Sequence, residues 1–173
     1  GAVIAGDRTT GFVVNLAHTL PGTVTFNDIS LKDFDDGAIN VDAGNLIVNR
    51  STLDGNETGI YMEGQYYSVV QINDSTISNS GGGNNPGRGI FASNTDLAIS
   101  NSTLSGNSGS ALFINNGEAV LRNVTVAYNT GEAALNASPR RLDPRTAKIT
   151  IYNSVLYNPG VSNCFDRVEP LGQ

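Results

Sequence analysis

The chain has 173 residues, a formal net charge of −6, only 15% charged residues and a single cysteine. This length fits one domain with enough chain for a core, and the single cysteine excludes an internal disulfide. Up to Asp96 there are 11 acidic and 4 basic residues, which argues against nucleic-acid binding because few cations can neutralise phosphates. No apolar run reaches the roughly 20 residues of a membrane helix, so we expect no membrane insertion by this segment.

Residues 1–22 are the least regular part of the sequence. They carry short apolar runs, among them Phe12-Val13-Val14, but no clear copy of the repeat that follows. We expect them to form a weak first coil or an N-terminal cap. Gly1 stands in place of an initiator methionine, and we expect it to mark a mature or trimmed fragment.

Residues 23–163 repeat a unit of about 22 residues, with insertions in some copies. The apolar residue that marks each unit recurs at Leu31, Leu53, Ile77, Leu104, Val126 and Leu156. Each unit holds three short apolar runs between Asn, Gly and Ser turns, and no window has the 3.6-residue period of a helix. Strands this short need to stack on the same strand of the next coil. The sequence therefore predicts an all-β, right-handed parallel β-helix of about seven coils with three strands each.

Two sets of polar residues mark the predicted corners, because Asn tolerates the left-handed backbone and stacked amides bond along the stack. One set is Asn101, Asn123 and Asn153, with Asp28, Arg50 and Asp74 at the same place in earlier coils. The other set is Asn56, Asn79, Asn107, Asn129 and Asn158. Residues 164–173 follow the last repeat, and we expect a C-terminal cap or a truncated end.

The repeat pairs a Leu-x-x-Asn element with a Gly-Ala-Ile-like element. The first occurs in Leu53-Asp54-Gly55-Asn56, Leu104-Ser105-Gly106-Asn107 and Val126-Ala127-Tyr128-Asn129, and the second in Asp36-Gly37-Ala38-Ile39 and Thr58-Gly59-Ile60-Tyr61. This pattern resembles the repeats of chlamydial polymorphic outer-membrane proteins and, more broadly, the pectate-lyase-like β-helix repeats of bacterial surface proteins. The resemblance spans about residues 23–165, implies the β-helix fold, and implies a secreted or cell-surface location.

Two segments resemble catalytic motifs of enzymes on this fold. Asp35 and Asp36 resemble the paired carboxylates of polygalacturonase-like hydrolases, and two carboxylates are what glycoside hydrolysis needs. That family's Gly-His-Gly motif is absent, since His18 is the only histidine, so an ordinary corner is the favoured interpretation. The segment 140–145 superficially resembles the Arg-x-Pro-x-x-Arg segment of pectate lyases, but its spacing differs.

Two insertions, at residues 63–68 and 136–147, follow the same strand type and should emerge on the same edge, about 15 Å apart. The coils between them have only tight turns, so the insertions form the walls of a shallow groove. Tyr66 and Tyr67 are placed to stack on sugars. Arg140, Arg141 and Arg145 are placed to pair with carboxylates. One hypothesis is that this groove binds an anionic glycan, and the favoured alternative is that both insertions are solvated loops of a spacer.

The favoured function is therefore a non-enzymatic adhesin or spacer of a secreted or surface protein, whose partner is a polysaccharide or a cell-surface glycan. One alternative is a polysaccharide lyase or glycoside hydrolase, with Asp35 and Asp36 as its carboxylates. Another is self-association through the open ends of the β-helix. No cofactor is expected, and calcium binding at Asp-rich corners is left open.

Overall fold

The computed structural model describes residues 1–6, 11–16, 22–63, 66–81, 87–138, 147–165 and 168–170, of which 165 and 168–170 are described as backbone only. These residues form 21 strands and no helix, hence none that could cross a membrane. The first three coils hold β1 (Ala2–Ala5), β2 (Phe12–Asn15), β3 (Thr23–Asn27), β4 (Ile29–Lys32), β5 (Gly37–Ala43), β6 (Asn45–Asn49), β7 (Thr52–Asp54), β8 (Thr58–Met62) and β9 (Ser68–Asn73). The next four hold β10 (Thr76–Ser78), β11 (Ile90–Ala92), β12 (Thr95–Ser100), β13 (Thr103–Ser105), β14 (Leu112–Ile114), β15 (Gly117–Arg122), β16 (Thr125–Ala127), β17 (Ala133–Ala137), β18 (Ala147–Tyr152), β19 (Val155–Tyr157), β20 (Ser162–Phe165) and β21 (Val168–Pro170).

Three parallel sheets of seven strands each build a β-solenoid. Sheet A contains β1, β4, β7, β10, β13, β16 and β19; sheet B contains β2, β5, β8, β11, β14, β17 and β20; sheet C contains β3, β6, β9, β12, β15, β18 and β21. The chain runs from sheet A to B to C and then begins the next coil. This confirms the predicted all-β parallel β-helix. About five turns, β4 to β18, are paired on both sides, fewer than the seven or so predicted, because the first and last strand triplets pair on one side only.

The apolar markers of the repeat form one column of the core in sheet A. Leu31, Leu53, Ile77, Leu104 and Val126 are partners in register from coil to coil, and each is 0% exposed. Burying one such side chain contributes about 1.5–3 kcal/mol. The column therefore stabilises strands of three residues, which are too short to be stable in isolation.

The corner between sheets C and A carries the first predicted polar set, here called the outer corner ladder. Its members have φ between 44° and 55°, the left-handed region: Asp28, Arg50, Asp74, Asn101, Asn123 and Asn153. Asn101 donates to Asp74 at 3.2 Å, and Asn123 donates to Asn101 at 3.1 Å. Arg50 pairs with Asp28 through two nitrogens, at 2.7 and 2.8 Å, and its hydrogen bond lowers the pKa of Asp28. The predicted stacking of left-handed polar corners is confirmed.

The corner between sheets A and B carries a second ladder, here called the buried Asn ladder: Asn56, Asn107, Asn129 and Asn158, each at most 5% exposed. Asn79 lies at this corner, as predicted, but it does not occupy the buried ladder position. Asn79 has φ 53° and matches Gly55 and Gly106, both φ 67°, whereas the buried ladder position in that coil is Ser80. The backbone N–H of Ser80 donates to Asn107 Oδ1 at 3.0 Å, which fixes this register.

Candidate functional site

The two insertions leave the solenoid at the same edge, between sheets B and C. Residues 63–67 connect β8 to β9, and residues 138–146 connect β17 to β18. The coils between them turn through residues 93–94 and 115–116 alone. The strands that flank the two insertions are three coil steps apart in the stack.

The structure places the two predicted tyrosines at this edge. Tyr66 and Tyr67 are 47% and 45% exposed, and the hydroxyl of Tyr67 donates to Asp96 Oδ1 in the next coil. Arg140, Arg141 and Arg145, predicted to form the opposite wall, lie outside the described residues. The described part of the groove is therefore the tyrosine wall and the floor beside it.

The floor is the outward face of sheet C. A shallow cavity of about 260 Å³ lies against it, lined by Val69, Val70, Gln71, Asp96, Leu97, Ala98, Glu118 and Val120. Asp96 and Glu118 precede the paired residues Leu97 and Ala119, so their side chains stand on adjacent coils. The backbone N–H of Glu118 donates to Asp96 Oδ1 at 3.2 Å, which orients the Asp96 carboxylate together with Tyr67.

The chemistry of this floor combines hydrogen-bond acceptors with apolar surface. The carboxylates of Asp96 and Glu118 accept hydrogen bonds from hydroxyl or amine groups. Val69, which is 44% exposed, Ala98 and Val120 supply apolar surface between them. Lys148 is the register partner of Glu118 one coil further on. The arrangement suits an extended polar ligand that also has apolar faces.

The alternative carboxylates, Asp35 and Asp36, are not part of this groove. Both are exposed in the connection from β4 to β5, at the corner between sheets A and B. The carbonyl oxygen of Asp36 accepts a hydrogen bond from Thr58 N–H at 3.2 Å, which is an ordinary corner contact. Among the described residues no group of three or more His, Cys, Asp or Glu side chains could hold a metal ion, and calcium binding stays a prediction.

Sequence reasoning missed two features of the outer surface. It did not identify Asp96 and Glu118 as a pair of acceptors on adjacent coils of the groove floor. It also missed an aromatic column on sheet B, in which Tyr61, Phe91 and Phe113 are register partners. The available signal was an aromatic residue at the same outward position of three successive repeats.

The fold defines a class, a parallel β-helix, which here carries a shallow cavity on the outward face of sheet C. The sequence matches no protein-family model, no curated protein and no solved structure. The class assignment therefore depends on the strand order and on the register between coils.

Proposed function

We propose that this chain is a non-enzymatic β-helix segment of a secreted or cell-surface protein, an adhesin or spacer that binds a glycan in the groove on sheet C. The observation that carries the proposal is the pair of exposed tyrosines, Tyr66 and Tyr67, beside a cavity lined by carboxylates. The resemblance of the repeat to pectate-lyase-like surface-protein repeats supports the location and the class.

Tyrosine rings beside hydrogen-bond acceptors match the two surfaces of a sugar. An exposed ring offers an apolar face for the C–H face of a pyranose, and the hydrogen bond from the Tyr67 hydroxyl to Asp96 holds that ring beside the carboxylate. Asp96 and Glu118 on adjacent coils accept hydrogen bonds from hydroxyls on the ring edge. Because the coils repeat at about 4.8 Å, a chain lying along the solenoid axis meets similar groups repeatedly.

The charge of the ligand depends on both walls. The second insertion contributes Arg140, Arg141 and Arg145 in sequence, which favours a glycan carrying acidic groups. The floor contributes carboxylates, which favour neutral, hydroxyl-rich units above them. We therefore propose an acidic glycan in which charged units alternate with or flank neutral ones.

Glycan-array binding of a double variant, Tyr66→Ala with Tyr67→Ala, tests this proposal. Loss of both rings should lower apparent affinity by about tenfold or more, the effect of about 1.4 kcal/mol. The matched control is Tyr128→Ala with Tyr157→Ala, a second exposed tyrosine pair with ring centroids 5.4 Å apart on another face. Unchanged binding in the first variant, with an unchanged melting temperature, would sink the proposal.

A second candidate function, glycoside hydrolysis, is favoured by one observation. Asp96 and Glu118 place two carboxylates on adjacent coils, and a pair of carboxylates is what glycoside hydrolysis uses. Reducing-sugar release from a panel of polysaccharides would reveal hydrolysis, and ultraviolet absorbance of unsaturated products would reveal a lyase. Activity abolished by Asp96→Asn and by Glu118→Gln would replace the adhesin proposal, whereas absence of any product supports it.

A further inference from the structure

The outward face of sheet B carries three stacked aromatic rings, here called the aromatic ladder: Tyr61, Phe91 and Phe113. Ring centroids are 5.0 Å apart from Tyr61 to Phe91 and 5.6 Å apart from Phe91 to Phe113, with interplanar angles of 13° and 10°. The inner ring faces are therefore covered by neighbouring rings, and Phe91 is only 8% exposed. The ladder presents mainly ring edges to a ligand.

Arg88 lies over the last two rings of this ladder. Its guanidinium carbon is 5.3 Å from the centroid of Phe91 and 4.8 Å from that of Phe113. The side chain is partly buried, and this desolvation lowers the pKa of Arg88. The rings offset part of that cost through cation–π attraction. They do not satisfy the five N–H donors, which lie in the plane of the guanidinium group.

No carboxylate of the described residues lies within ion-pair distance of Arg88. Among the described residues, the ion pair that does form joins Arg50 to Asp28. Near the ladder, Glu63 accepts a hydrogen bond from the Tyr61 hydroxyl. The pKa of Tyr61 is raised to about 12, mainly by burial and secondly by this hydrogen bond. A partly desolvated cation thus stands on an apolar surface while the neighbouring acid is engaged elsewhere.

We propose that Arg88 and the aromatic ladder form a docking site for a protein segment bearing one acidic side chain flanked by apolar residues. The guanidinium fork binds a carboxylate through two parallel N–H···O bonds. The exposed edges of Tyr61 and Phe113 contact the flanking apolar side chains. Arginine and aromatic residues are enriched where protein interfaces concentrate their binding energy.

A peptide fits this site better than a sugar or a strongly acidic tract. Sugar stacking needs open ring faces, as at Tyr66 and Tyr67, whereas the inner faces of the aromatic ladder are covered. The chain up to Asp96 has a formal charge of −7, from 11 acidic and 4 basic residues, so several negative charges on a partner would be repelled. A partner segment with one carboxylate among apolar side chains therefore complements the single guanidinium of Arg88 among the aromatic rings. This inference does not rest on the proposed glycan groove.

The test is a titration of ¹⁵N-labelled protein with a blocked peptide, acetyl-Ala-Leu-Glu-Leu-Ala-amide, followed by chemical shifts. We expect saturable shifts confined to β8, to residues 87–92 and to β14. A glutamine counterpart of the peptide should bind at least about tenfold more weakly, since it loses the hydrogen bonds between two charged groups. A tri-glutamate counterpart should also bind more weakly than the single-glutamate peptide. Glucuronate and inorganic phosphate should produce no saturable shifts there at the same concentrations.

Arginine variants identify the recognising group. Arg88→Gln should lower affinity for the glutamate peptide by about tenfold. The affinity of Arg88→Lys should lie between those of Arg88→Gln and the unchanged protein, because lysine keeps the charge but lacks the planar pair of donors. The matched control is Arg122→Gln, which removes a guanidinium 4.3 Å from the Tyr152 ring on sheet C. The proposal would be overturned if the glutamate and glutamine peptides bound equally well, or if glucuronate bound as tightly as the glutamate peptide. Full affinity in folded Arg88→Gln would overturn it as well.

Discussion

At the scale of single residues, the buried Asn ladder shows how a corner filled mainly by polar side chains is stabilised. Asn129 Oδ1 accepts from the backbone N–H of Asn107 at 3.1 Å and from its side-chain Nδ2 at 2.8 Å. Asn129 Nδ2 in turn donates to the carbonyl of Leu104 at 3.1 Å. Each amide therefore satisfies donors and acceptors of two coils at once. This matters because an unsatisfied buried polar group costs about 1–3 kcal/mol.

The ladder has one weak step, and we predict that Ser80→Asn repairs it. Ser80 is 1% exposed and its hydroxyl has no hydrogen-bond partner among the described residues. An asparagine amide there should reach the backbone N–H of Asn56 and the carbonyl of Leu53, as Asn129 reaches the equivalent groups of Asn107 and Leu104. We expect about 1 kcal/mol of added stability and a melting temperature about 2–4 °C higher.

Ser80→Ala is the control for this prediction. It removes the unsatisfied hydroxyl without adding any amide contact, so its melting temperature should change less than that of Ser80→Asn. A lower melting temperature in Ser80→Asn, measured by circular dichroism, would show that the corner lacks room for the longer side chain.

At the scale of the strand, alternation decides which residues hold the coils together. In β13 the central residue, Leu104, is 0% exposed and stacks on Ile77 and Val126, whereas Thr103 faces outward. In β11 the central residue, Phe91, faces outward, and its neighbours Ile90 and Ala92 fill the core. In strands of equal length, the central residue therefore faces the core in sheet A and faces outward in sheet B.

We predict that Leu104→Ala lowers the free energy of unfolding by about 2–5 kcal/mol, because it opens a cavity in a column that neighbouring coils hold fixed. Thr103→Ala, one residue away on the outward face, should cost less than about 1 kcal/mol. Urea denaturation of both variants provides the measurement. Comparable losses of unfolding free energy in the two variants would contradict the assignment of Leu104 to the core and Thr103 to the outward face.

At the scale of the molecule, the stack is nearly one-dimensional, with each coil contacting its two neighbours. The end strands therefore lack a partner on one side within the described chain. Val3 in β1 and Val13 in β2 are 65% and 56% exposed, and Val155 in β19 is 59% exposed. Unpaired strand edges with apolar side chains are templates for pairing with another chain.

We predict that this segment, when isolated, self-associates through its ends as concentration rises. Val3→Lys with Val13→Lys should suppress the association, because charge on an edge strand opposes edge-to-edge pairing. Thr52→Lys, an exposed position in β7, which is paired on both sides within sheet A, serves as the control and should leave the association unchanged. Light scattering measures the mean mass, and a constant monomer mass at every concentration would refute the prediction.

The repeat made the fold predictable from the sequence, because each coil needs particular residue types at its corners and in its core. A coil closes only where a residue accepts a left-handed backbone, and Asp28, Asn101 and Asn123 identify such corners by type. The marker residues Leu53 and Ile77 identify the core column by period. The same-edge position of the two insertions followed from these assignments, since each insertion lies between the same pair of strand types.

Only the tertiary structure decided how the coils register at their polar corners and which outward residues meet. Asn suits both a left-handed corner and an amide ladder, so sequence alone did not distinguish Asn79 from Ser80; the hydrogen bond from Ser80 to Asn107 did. Arg88 and Phe113 are 25 positions apart, yet the stack brings the guanidinium to 4.8 Å from the ring. Period and residue type fix which side chains are buried, whereas contacts on the surface depend on the register between coils.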